Sequence, residues 1–132
     1  MPALDTNVLV RYIVQDDSAQ SAAARRLIRR CVSEQQALFV PVTVTLELEW
    51  VLRSSFGYGK PETIRVLSAL FSAAELSCES EQALEVALEL YRSSAADFAD
   101  CLHLALAAQA GEQPLWTFDK AFSKVGGAAL LA

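Results

Sequence analysis

Two hydrophobic rhythms alternate along the chain. Short continuous apolar runs occur at Met1–Leu4, at Ala37–Val40 (stopped by Pro41), and at Leu115–Phe118, with a weaker candidate at Glu75–Cys78. Runs of this length bounded by turn residues predict buried parallel strands. Between them, apolar positions recur every three or four residues, which predicts amphipathic helices. Val8, Leu9, Tyr12 and Ile13 mark the first; Leu46, Trp50 and Val51 mark a helix over 42–55; Ile64, Leu67, Leu70 and Phe71 mark the next. A helix over 80–92 is expected to bury Ala83, Val86, Ala87 and Leu90, and an Ala- and Leu-rich helix is expected over 94–110. Strands alternating with helices predict an α/β sandwich with a mainly parallel sheet.

The punctuation agrees with this pattern. Gln15–Ser18 is a polar turn, Phe56–Gly59 breaks one helix, and Pro61 sits in the first turn of the next. Gly111 closes the long helix, a short helical turn is expected over 120–122, and Gly126–Gly127 leads into the apolar stretch Ala128–Leu131. With 132 residues, 53% apolar, and neither a repeat nor a linker, residues 1–132 read as one domain that needs no staples. The three cysteines fit neither a disulfide framework nor a zinc spacing. The opening residues resemble no signal peptide and no stretch is long enough to span a bilayer, so a cytoplasmic protein with no membrane partner is expected. A net charge of −5 argues against broad, sequence-independent nucleic-acid binding. It does not exclude a nucleic-acid enzyme, because an acidic site filled with metal presents a positive centre to phosphate.

The candidate chemistry lies in the carboxylates. Asp5 and Asp119 each follow a short apolar strand, so a parallel sheet would deliver both to its carboxyl edge, where open α/β sheets bind ligands. Asp5 can equally cap the helix behind it. Asp100 lies near the start of the long helix, and Glu47 is flanked by Leu46 and Leu48, an unusual setting for a solvated acid. Glu49 reads as its solvated neighbour, and Asp97, three residues after Ser94, as the acid of a capping box. Converging carboxylates raise one another's pKa values, and a divalent cation relieves the repulsion. Oxygen-only donors suit magnesium or manganese, and the chemistry that follows is metal-assisted phosphodiester hydrolysis. His103, the only histidine, reads as a packed or surface residue and Cys101 as a small core residue. No nucleophilic triad and no phosphate-binding glycine loop is present. Arg25/Arg29 and Arg26/Arg30 form a helical stripe, which is either a solvated face or a contact surface.

Taken together, Leu4-Asp5-Thr6-Asn7-Val8-Leu9-Val10-Arg11-Tyr12, Leu46-Glu47-Leu48, Asp97-Phe98-Ala99-Asp100 and Thr117-Phe118-Asp119 resemble a PIN-domain ribonuclease. More narrowly, they resemble the VapC-type toxins of bacterial and archaeal toxin–antitoxin pairs. Order, spacing and strand-end placement carry the resemblance, which covers essentially the whole chain. It implies a three-layer α/β/α sandwich, a magnesium or manganese site, and endonucleolytic cleavage of RNA. By position, Asp5, Glu47, Asp100 and Asp119 would be the acidic quartet, with Asp5 and Asp100 as the direct metal ligands. Thr6, Asn7 and Thr117 would orient the carboxylates, and Asp97 would be an accessory acid. A homodimer and a small antitoxin partner are implied as well. Arg11, Arg25, Arg26 and Arg29 are the candidate contacts for RNA or antitoxin. Two other readings compete. An aspartate-based phosphoryl transfer site would need a lysine in the pocket, and Lys120 and Lys124 are poorly placed for it. A scaffold would have no need of four converging acids.

Overall fold

The computed structural model describes residues 1–132, which form two compact units, Met1–Glu79 and Ser80–Ala132. In the first unit the chain start lies parallel to β1 (Leu38–Val40). Ala3 pairs with Phe39, and the N–H of Leu4 donates to the Phe39 carbonyl at 2.9 Å. The expected first strand is thus a single bridge, because the helix α1 (Thr6–Val14) begins immediately after Asp5. On its other side β1 pairs in parallel with β2 (Leu76–Cys78), Leu38 opposite Leu76. All pairings in the chain are parallel, as expected, but no strand exceeds three residues.

Around this edge stand α1, α2 (Ser18–Ser33), α3 (Val42–Phe56) and α4 (Lys60–Ser72). Asp17 caps α2 by accepting from the Gln20 N–H at 2.9 Å, and Gly57 ends α3 at φ 67°, a left-handed conformation that glycine adopts without strain. Leu9, Leu38, Val40, Leu48, Leu52 and Leu67 are fully or almost fully buried. The inward face of α3 is a correction to the sequence expectation. It consists of Thr45, Leu48, Glu49 and Leu52, while Trp50 is exposed. Leucines 46 and 48 are two residues apart, so a helix cannot bury both on one face. Packing selects the 45/48/49/52 stripe.

The second unit holds α5 (Glu81–Ser93), α6 (Phe98–Gln109), β3 (Leu115–Thr117), the 3₁₀ turn Phe122–Lys124 and β4 (Ala128–Leu130). β3 and β4 pair in parallel with Thr117 opposite Leu130. The α5 stripe is Ala83, Leu84, Ala87, Leu88 and Tyr91, leaving Val86 exposed, again one position away from expectation. Tyr91 meets Phe98 edge-on at 5.6 Å across the α5–α6 connection. The last helix starts at Phe98 and not Ser94. The Ser94 hydroxyl donates back to the Leu90 carbonyl at 2.7 Å and accepts from the Ala96 N–H, so no Ser94–Asp97 capping box forms. No two cysteines are joined in a disulfide, and no helix is long and apolar enough to cross a membrane.

Candidate active site

In the first unit the acids meet through one threonine. Asp5 caps α1, its Oδ1 accepting from the Thr6 N–H at 2.7 Å, and its side chain stays in solvent. Of the roles open to Asp5, the helix cap is observed, and a cap at the end of a one-bridge strand is not covered. Thr6 itself is buried, and its hydroxyl donates to Glu47 Oε1 in a short hydrogen bond. Through backbone and side chain, Thr6 therefore holds both carboxylates. Glu47 is exposed, whereas Glu49 is 1% exposed and pairs with Arg53 one turn on through both carboxylate oxygens, Oε1 accepting from Nη2 at 3.2 Å. The sequence reading had these two glutamates the other way round.

Asn7 is turned to a different place, a cleft of about 320 Å³ along α1 and α2 that it shares with Arg11 and Gln20. Arg11 is engaged within the chain, with Nη1 3.0 Å from Asp16 Oδ1 and Nε donating to Gln20 at 2.6 Å. Arg26, Arg29 and Arg30 are exposed on α2 and Arg25 is half-buried.

In the second unit Asp97, Asp100 and Asp119 line one cleft of about 430 Å³. Asp97 occupies the cap position of α6 without a side-chain capping bond, and Asp100 lies half-buried in the first helical turn. The positive end of the helix dipole therefore faces these carboxylates. Asp119 folds the segment after β3. Its Oδ1 accepts from the Phe122 N–H and its own N–H donates to Thr117 Oγ1, both at 3.0 Å. The Asp100 carboxyl is pushed above its ordinary value, first by burial and then by the charge of Asp97, with Asp119 adding to the rise and His103 opposing it.

A family model for the PIN domain matches residues 3–128. This chain belongs to the PIN-domain family. PIN domains are typically nucleases, commonly metal-dependent ribonucleases. The match spans Asp5, Glu47, Asp97, Asp100 and Asp119 alike. No curated protein matches the chain closely enough to add a relative.

The donor set of this PIN domain suits a hard divalent cation: the chemistry is all oxygen, and Asp100 carries repulsion that a cation would relieve. No three or more acidic, histidine or cysteine side chains are preassembled as a metal cluster. One or two carboxylates with water would complete the coordination, which is how magnesium is commonly held. The expectation that Lys124 is poorly placed for the pocket is corrected. Lys124 lines the same cleft as the three aspartates, although it does not follow a strand. The signal was Asp119 three residues before Phe122. That capping contact reverses the chain, and the buried Phe122 anchors the turn that carries Lys124 back to the acids.

Proposed function

We propose that this PIN-domain protein is a magnesium- or manganese-dependent endoribonuclease, with residues 1–132 acting as one nuclease domain. Asp5, Glu47, Asp100 and Asp119 are its acidic quartet in this reading. The observation that carries it is the family match over residues 3–128, which contains all four acids. Support comes from the cleft that Asp100 and Asp119 share and from the Thr6 bridge between Asp5 and Glu47. When bound, the metal supplies Lewis acidity toward phosphate and activates water. The chain's own part is positional: Thr6 fixes Glu47, Thr117 fixes the backbone of Asp119, and the α6 dipole steadies Asp97 and Asp100. Asp97 is an accessory acid at the cleft.

The same reading makes the chain the toxin of a VapBC-like pair, a cytoplasmic homodimer held in check by a small antitoxin. Arg25, Arg26 and Arg29 on the exposed side of α2 are its candidate contacts. The decisive experiment is RNA cleavage by chelator-stripped protein with magnesium or manganese added back, beside Asp5→Asn and Asp100→Asn. Cleavage that requires metal and is lost in both variants is the expected result. Metal-loaded, folded protein that cleaves no RNA would refute it.

A further inference from the structure

The turn after β3 carries a cation into the acidic cleft. The strand itself does not hold it there, because Trp116 and Phe118 are exposed, against the expectation that Leu115–Phe118 is buried. The turn is fixed by its own hydrogen bonds instead. Asp119 Oδ1 accepts from the Phe122 N–H at 3.0 Å, the Asp119 carbonyl from the Ser123 N–H at 2.9 Å, and the Phe122 carbonyl from the Val125 N–H at 2.9 Å. The buried ring of Phe122 anchors it. Lys124 therefore leaves the backbone at a set place, and it is the sole basic residue lining the cleft of Asp97, Asp100 and Asp119.

Its ammonium is not engaged by those neighbours. Lys124 forms no ion pair and no side-chain hydrogen bond within the chain. A lysine is a compact point charge with three donors on a flexible stem, so an unpaired one can turn to an anion entering the cleft. The charge balance favours that use. Three carboxylates and one ammonium give the cleft a formal charge of −2, which a divalent cation brings to zero. Without Lys124 the filled cleft would remain at −1 and repel a phosphodiester, which is itself an anion. Lys120 adjoins Asp119 in the sequence but does not line the cleft.

We propose that Lys124 is a catalytic residue of the hydrolysis, its ammonium contacting a non-bridging oxygen of the scissile phosphate. This rests on the ribonuclease reading. In the reaction water adds to phosphorus, one P–O ester bond breaks, and one proton of the water ends on the departing oxygen. Lys124 transfers nothing; it offsets the charge that the non-bridging oxygens carry in the transition state. Lys124→Gln should lower kcat about 10–100-fold and raise KM by no more than about fivefold. An enclosed oxyanion donor is worth about 10²–10³ in kcat, and the exposure of Lys124 reduces that. Lys124→Arg, which keeps the charge, should recover most of the rate. Lys120→Gln, an equal charge change outside the cleft, should leave it unchanged. Manganese, followed by electron paramagnetic resonance of the free ion, should bind Lys124→Gln at least as tightly as wild type, because a nearby positive charge opposes a cation. Inorganic phosphate, titrated into magnesium-loaded protein and followed by calorimetry, should bind Lys124→Gln about fivefold more weakly. A wild-type kcat or unchanged phosphate binding in Lys124→Gln, or an equal loss in Lys120→Gln, would overturn the proposal. Weaker manganese binding in Lys124→Gln would also overturn it and make Lys124 an organiser of the carboxylates. The two readings fail separately. Wild-type protein that cleaves no RNA, with phosphate binding still weakened in Lys124→Gln, would refute the nuclease and leave Lys124 a phosphate ligand. Cleavage that Lys124→Gln retains in full would refute the role of Lys124 alone.

Discussion

Thr6→Val isolates the bridge between the two N-terminal acids. Valine keeps the shape of threonine and removes only the hydroxyl, which is buried and donates to Glu47. A hydrogen bond to a charged acceptor contributes about 1.5–3 kcal/mol. Glu47 is exposed and water can take over its oxygen, so the loss should fall below that range, at about 1 kcal/mol. For a chain of this size that lowers the melting temperature by about 3–5 °C and leaves it folded. The functional cost should be larger. Freeing a carboxylate from the group that orients it typically lowers metal affinity or activity about 10–100-fold. The assay is the initial rate of cleavage of a fluorescent RNA across a manganese titration, with Thr6→Ser as the variant that restores the hydroxyl. A Thr6→Val protein with wild-type rate and metal midpoint would refute the reasoning. So would a Thr6→Ser protein as impaired as the valine variant.

Other consequences follow from the same geometry. Asp100 has a folded-state pKa raised above its ordinary 3.8, so its contribution to stability is favourable at acid pH and is lost as pH rises through the folded value. Metal-free Asp100→Asn should therefore melt higher than wild type at neutral pH and alike below the ordinary carboxylate range, while cleaving no RNA; equal melting at pH 7 would contradict this. Arg53→Met strands the buried Glu49 and should cost about 2–3 kcal/mol, below the 3–5 of a fully buried pair because Arg53 is 36% exposed. Glu49→Gln, which keeps an acceptor for Arg53, should cost about 1 kcal/mol, and guanidinium unfolding that ranks the two equally would count against the pair. Gly127 sits at φ +97°, where an added Cβ would run into the Gln113 side chain and lie 3.1 Å from Leu104 Cδ1. Gly127→Ala should lose more than about 1 kcal/mol, read as a lower urea midpoint.

The alternation of helices with short strands, the helix breaks at Gln15–Ser18 and Phe56–Gly59, and the acids beside the strand ends were legible in the sequence, because each depends on local periodicity and turn chemistry. The four short motifs were legible too, and the match over 3–128 confirms the family they suggested. Which face of a helix turns inward was not. In Leu46-Glu47-Leu48-Glu49-Trp50 apolar and acidic residues alternate, so the pattern singles out no one helical face. Only packing puts Glu49 inside against Arg53 and leaves Glu47 and Trp50 outside. The same holds for Val86, which yields its expected place to Leu84 and Leu88 on α5. Strand burial at Leu115–Thr117 also depended on what covers the strand, and an apolar run does not encode that. Ser94 had two ways to use its hydroxyl and took the Leu90 carbonyl, which delayed α6 by a turn and left Asp97 free of a capping bond. Lys124 joined the acids because Asp119 bends the chain through a hydrogen bond three residues on. Local sequence sets periodicity, caps and breaks; the choice among equally periodic faces and the return of a distant lysine belong to tertiary contacts.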